Sequence, residues 1–147
     1  MKLYIDLCCW NRPFDDAAQA RIRAEAAALE VVLERIRQNL DQLAWSSYLD
    51  AELFANPHAK RRQWIESQKT LAAVTVTHSP VLETRGQALV QAELSALDAL
   101  HLAAAEESAE YLLTVDDRFL RQARKQTLHL RVCNPVDYCD EVNRANS

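Results

Sequence analysis

The segment Leu3-Tyr4-Ile5-Asp6 decides how the rest of the chain reads. Three consecutive apolar residues form a short buried strand, and it stops at an acid. Leu7-Cys8-Cys9-Trp10 and a loop, Asn11-Arg12-Pro13-Phe14, follow it. The same form returns late in the chain, where Tyr111 to Val115 is an apolar run that ends on Asp116-Asp117. Continuous apolar strands belong to sheets covered on both faces, which are mostly parallel ones. An acid at the C-terminal end of such a strand lies where open parallel sheets gather their ligand-binding loops.

The intervening sequence supplies the crossovers that parallel strands need. Asp15 and Asp16 can cap a long helix whose stripe runs Ile22, Ala26, Leu29, Leu33, Ile36 and Leu40, with Arg21, Glu25, Glu30, Glu34 and Arg37 mostly off it. Leu43-Ala44-Trp45 reads as a second strand, and Ser46 or Ser47 as the cap of a helix that Asn56-Pro57 ends. A further helix carries Lys60-Arg61-Arg62 and Trp64-Ile65. Val74 and Val76 alternate with Thr75 and Thr77 as a half-buried third strand, and Ser79-Pro80 has the cap-then-proline form of a helix start. Ser95-Ala96-Leu97-Asp98 resembles a capping box ahead of the apolar run Ala99 to Ala105. After the fourth strand, a short helix from about Arg118 to Lys125 leads to a last strand, Leu130-Arg131-Val132. This alternation predicts an α/β fold, a three-layer α/β/α sandwich around a central, mainly parallel sheet.

Composition agrees and narrows the function. With 147 residues, 49% of them hydrophobic, the chain has the size of one domain spanning 1–147 with a core of its own. A single glycine, Gly86, leaves little room for the tight turns of an all-β fold. Seventeen Lys and Arg against twenty-one Asp and Glu give a net charge of −4, so any nucleic acid must be held locally. Cys8, Cys9, Cys133 and Cys139 lack paired zinc spacing and read as reduced thiols in a cytoplasm. No apolar run approaches the roughly 20 residues that span a bilayer.

Four acids stand out against this background. Asp6 and Asp116 end buried strands, and Asp98 lies in a helix that reads as buried, where an unpaired carboxylate costs several kcal/mol. Glu52 sits in the mostly apolar stretch Tyr48 to Phe54, with Asp50 as its rival two residues away. If the four converge, their repulsion demands a cation, and carboxylate oxygens suit Mg²⁺ or Mn²⁺ better than zinc. Taken singly, each has an ordinary structural explanation: Asp98 as a capping-box acid, Asp116 or its neighbour Asp117 as an N-cap. Spacing alone supports the two readings equally. His101 shares a helix face with Asp98 and reads first as a buried histidine bonded to a neighbour, second as a ligand or proton shuttle. Lys60-Arg61-Arg62 and the group Arg118, Arg121, Arg124 and Lys125 are the basic clusters that can meet phosphates or simply face solvent. Trp10, Trp45 and Trp64 can stack on bases, but apolar neighbours favour packing for at least Trp45.

Leu3-Tyr4-Ile5-Asp6, Leu97-Asp98-Ala99-Leu100-His101-Leu102-Ala103 and Thr114-Val115-Asp116-Asp117-Arg118-Phe119 together resemble the signature segments of PIN-domain ribonucleases. Cys8 to Asp16 and Val132-Cys133-Asn134-Pro135-Val136 resemble its VapC-like toxin branch. The resemblance implies a nuclease site in which Asp6, Glu52, Asp98 and Asp116 hold Mg²⁺ or Mn²⁺. Thr114 would be a polar helper beside Asp116, and Asn11, Thr114 and Arg118 substrate contacts. It further implies an RNA substrate, an antitoxin protein that covers the site, and a homodimer. The chain departs from the commonest pattern in having Leu7-Cys8 after the first acid, where many members carry a hydroxyl residue and then Asn, and Ser108 where a Gly often stands. A non-catalytic PIN-like protein that binds RNA or a partner is the alternative. A phosphotransfer receiver or haloacid-type phosphatase is disfavoured, because no Asp-x-Asp follows from Asp6 and no late strand-end Lys is found.

Overall fold

The computed structural model describes residues 1–126 and 129–146, so Ser147, the end of the expected single-domain span, lies outside the described residues. Five strands, β1 (Lys2–Ile5), β2 (Gln42–Ser46), β3 (Ala72–Val76), β4 (Tyr111–Leu113) and β5 (Arg131–Cys133), form one sheet in the order β3-β2-β1-β4-β5. Every pairing is parallel. Leu3, Tyr4 and Ile5 are all fully buried. Successive strand residues point to opposite faces, so both faces of β1 are covered. Eight helices among the described residues supply that cover: α1 (Leu7–Asn11), α2 (Ala20–Arg37), α3 (Ser47–Phe54), α4 (Ala59–Gln68), α5 (Pro80–Gln91), α6 (Ala96–Ser108), α7 (Asp117–Arg124) and α8 (Pro135–Ala145). Helix α6 touches β1, β2, β3 and β4, while α2 packs on α8. None of the described helices is long and apolar enough to cross a membrane.

Serines start the helices where the sequence places them. Ser46, Ser79 and Ser95 each accept a hydrogen bond from the amide three residues on, at the N-termini of α3, α5 and α6. Gly86, in the middle of α5, lets that helix approach α6, since a Cβ there would lie 2.9 Å from a methyl of Leu100. Trp10 and Trp45 are wholly buried with edge-to-face rings 5.9 Å apart, and Trp64 packs on Trp10, so the tryptophans serve the core.

Elsewhere the structure departs from the sequence expectations. The stretch after Asp6 is helical (α1) before a 3₁₀ turn at Arg12–Phe14. Asp15 and Asp16 do not cap α2, which begins after Gln19. Asp15 instead pairs with Arg12 and Arg61, and Asp16 accepts from the Ala18 amide. The stripe was expected to reach Leu40, but α2 stops at Arg37. Asn39 there adopts φ 60°, Leu40 N–H bonds the Arg35 carbonyl and Asn39 N–H that of Ile36, leaving Leu40 54% exposed. β3 is an edge strand, so Val74 is exposed and Val76 alone of the pair is buried. α8, unforeseen, starts at Asn134-Pro135, where the Asn134 side chain accepts from the Val136 amide.

Two buried acids hold the scaffold together. Glu25, expected on the outer face of α2, is buried and accepts from Arg12 Nε (2.9 Å), Arg21 Nε (3.2 Å) and Asn134 Nδ2. Asp41 accepts from Arg35, the Tyr138 hydroxyl and the Met1 ammonium. Burial would push the Asp41 carboxyl up, but these bonds outweigh it and hold it below the usual carboxylate range. A depressed folded value means that the stabilisation is present above the unfolded value, about 3.9, and is lost as pH falls through the folded one. Urea titrations of wild type and Asp41→Asn should therefore show a wild-type advantage at pH 6 that shrinks toward pH 3. An advantage that is unchanged at pH 3 would contradict this account.

Candidate active site

The strand order reverses at β1: successive strands run outward through β2 and β3, then return to the other side of β1 at β4. In open α/β sheets such a reversal opens a crevice beyond the C-terminal ends of the two central strands. Asp6 follows β1 at that point and Thr114 to Asp116 follow β4.

Asp6 is 5% exposed. Its Oδ2 accepts from Thr114 Oγ1 at 2.8 Å and Cys8 Sγ at 3.1 Å. Its Oδ1 accepts no hydrogen bond from the described residues. Burial raises the carboxyl above its ordinary value against the opposing influence of His101, Cys8 and Thr114, and the Glu52 charge adds to the rise. Thr114 also accepts from the Asp116 amide at 3.1 Å, so one hydroxyl ties Asp6 to the turn bearing Asp116.

Glu52 projects from α3, with Oε2 3.0 Å from Nε2 of His101 on α6. Asp50, its rival in the sequence, is engaged elsewhere, accepting from Trp45 Nε1 and pairing with Lys69. A carboxylate oxygen of Asp6, one of Glu52 and a ring nitrogen of His101 lie within 4.8 Å of one another. His101 is buried with Nδ1 2.6 Å from the Tyr4 hydroxyl, which is itself 2.6 Å from Ser46 Oγ.

Asp98 sits half-buried in the first turn of α6. Burial, and after it the charges of Asp6 and Asp116, push its carboxyl up to about 6. Asp116 is exposed and caps α7, its Oδ1 accepting from the Arg118 and Phe119 amides, so the ordinary N-cap role expected for it is real. Its charge still reaches Asp98. Asp117 turns away into a bidentate pair with Arg21. Asn11 bonds the Leu7 carbonyl and Asn56 rather than any of the four acids. The Arg118 side chain is exposed and makes no hydrogen bond or ion pair with the described residues. Of the other basic side chains, Arg61, Arg62 and Arg124 bind carbonyls of the fold.

The structure brings Asp6 and Glu52 together with His101 at ligand distance and leaves Asp98 and Asp116 outside that group, near enough for their charges to act on one another; an Asp6 oxygen without a donor among the described residues suits a hard divalent cation. His101 is, as its first reading had it, a buried histidine bonded to neighbours, here Tyr4 and Glu52.

The family model of the PIN domain matches residues 4–125. The chain also resembles the crystal structure of FitAcB from Neisseria gonorrhoeae, with a TM-score of 0.57 and 18% identity over 90% of this chain and 97% of that one. A FitAB bound to an IR36 DNA fragment aligns with a TM-score of 0.59 and 17% identity over 91% and 95%. VapBC2 from Rickettsia felis, bound to a DNA fragment from its promoter, aligns at 0.55 and 15% over 91% and 98%. At these identities the likeness is one of fold. No curated protein sequence matches significantly.

Proposed function

The chain belongs to the PIN domain family, and from that premise we propose that it is a metal-dependent ribonuclease, the toxin of a toxin–antitoxin pair. The observation that carries the reading is Asp6, a buried carboxylate with one oxygen unbonded, at the point where the strand order reverses and within reach of Glu52. Asp6, Glu52, Asp98 and Asp116 would hold Mg²⁺ or Mn²⁺. Bound there, the ion would lower the pKa of a water and offset charge on an RNA phosphodiester. Thr114 keeps Asp6 aimed at the crevice, Asp116 shapes the turn beside it, and Arg118 offers a free guanidinium to a phosphate. Asn11, whose side chain is held by Leu7 and Asn56, would be a second substrate contact.

The names of the structural relatives, two of them bound to DNA, support an antitoxin partner for this chain as well. A homodimer and a cytoplasmic location complete the proposal, the latter in keeping with four free cysteines. The test is purified protein with RNA, with and without Mn²⁺, beside an Asp6→Asn control. Cleavage is expected only with the ion and the intact aspartate, and the absence of any metal-dependent difference would sink the nuclease reading.

A further inference from the structure

We propose that His101 is itself a ligand of the divalent ion, making the site a mixed nitrogen and oxygen centre that favours transition metals over Mg²⁺. The proposal rests on the metal-site reading above and deepens it. Three observations carry it. First, the Nε2 to Glu52 Oε2 distance is 3.0 Å. Two neighbouring ligands on an octahedral ion with bonds of about 2.1 Å are separated by about 3 Å. The pair is spaced as the edge of a coordination shell, with the Asp6 oxygen within 4.8 Å of both.

Second, the other ring nitrogen is already held. Nδ1 lies 2.6 Å from the Tyr4 hydroxyl, and that hydroxyl 2.6 Å from Ser46 Oγ, so a chain from β2 through β1 fixes the ring plane. Histidines that bind metals are held this way, by an outer partner on the nitrogen that does not bind. With the ring proton on Nε2 this contact is a hydrogen bond to Glu52; with the proton on Nδ1 and donated to Tyr4, the Nε2 lone pair is free for a cation that Glu52 shares. Third, His101 is 1% exposed, so its ring has no alternative solvent-facing position. Imidazole binds Mn²⁺, Co²⁺ and Ni²⁺ in rising order and adds little for Mg²⁺, which prefers oxygen.

The experiment is pulsed EPR of the wild-type protein loaded with Mn²⁺, together with titration calorimetry of Mn²⁺, Co²⁺ and Mg²⁺ on wild type and His101→Asn. A directly coordinated imidazole nitrogen should appear in the EPR spectrum. The variant should lose 10-fold or more in Co²⁺ affinity and less than 3-fold in Mg²⁺ affinity. Bound Mn²⁺ without nitrogen coupling, or equal losses for all three ions, would make His101 only a support for Glu52 and overturn the proposal while leaving the nuclease reading intact. No binding of any ion to wild type would overturn both. The wild-type EPR measurement decides even if the variant fails to fold.

Discussion

Asp98→Asn should make the metal-free protein more stable while removing metal-dependent RNA cleavage. The two effects have one cause. The Asp98 carboxyl is raised to about 6 in the fold by burial and by the charges of Asp6 and Asp116, against about 3.9 in an unfolded chain. A raised folded value means that ionising the group costs stability. The penalty is absent below about pH 4, grows as pH rises through about 6, and is complete above that. Unscreened, a gap of this size corresponds to about 3 kcal/mol, but Asp98 is only half-buried, and solvent reduces the figure to about 1 kcal/mol. Asparagine keeps the shape, and the backbone bond from the Asp98 amide to Ser95 is untouched. The variant should therefore melt about 2–4 °C higher than wild type at pH 7.5 in EDTA, and the gain should vanish at pH 4. On the proposed function Asp98 would be a ligand of the ion, and cleavage should fall about 100-fold or more, since such a ligand supplies several kcal/mol of transition-state stabilisation. Scanning fluorimetry and a fluorogenic RNA measure the two. A variant that melts lower at pH 7.5 would show that the Asp98 charge is not strained.

That strain explains why the acids were legible in the sequence at all. A carboxylate between apolar neighbours, as in Leu97-Asp98-Ala99, conflicts with local propensity, and such conflicts concentrate at sites. The strand-end positions of Asp6 and Asp116 were equally readable, because a buried parallel strand is a short apolar run with a visible end. Glu52 and Asp50 were not separable. They lie two residues apart on one helix and so point to opposite sides, and only the packing of α3 against β2 and α6 decides which side faces the crevice. The role of Thr114 followed from family resemblance rather than spacing, since its partner Asp6 is 108 residues away. Cys8 is a similar case. Its thiol donates to Asp6 although nothing in Leu7-Cys8-Cys9 marks it as polar in function. α8 was recoverable, because Asn134-Pro135 repeats the cap-then-proline form that was read correctly at Ser79-Pro80.

Glu25 was the deepest omission, and its replacement should have the largest effect on stability. By helical position it belongs with the charged residues of α2, and nothing local distinguishes it from Glu30 or Glu34. Its burial depends on Arg12, thirteen residues before it, and Asn134, 109 residues after it. Those two residues lie in the two segments whose resemblance to the VapC-like branch is strongest, so the fold joins both at one carboxylate. Asn134 uses its oxygen to cap α8 and its nitrogen to reach Glu25, and Arg12 leads back through α1 to Asp6. Removing Glu25 leaves Asn134 Nδ2 without its acceptor and Arg12 with Asp15 alone, a loss of about 3 kcal/mol. Glu25→Ala should thus lower the melting temperature by roughly 10 °C or more. Arg21→Ala should cost only about 0.5 kcal/mol, because Arg21 is half-exposed. Glu25→Gln should fall between them, keeping the volume and one acceptor. Urea unfolding measures all three, and a loss below 1 kcal/mol in Glu25→Ala would show that water replaces the network. Below the unfolding transition the same variant should bind Mn²⁺ within about 3-fold of wild type, because Glu25 contacts none of the four acids and supports the site only through the fold that positions Asp6.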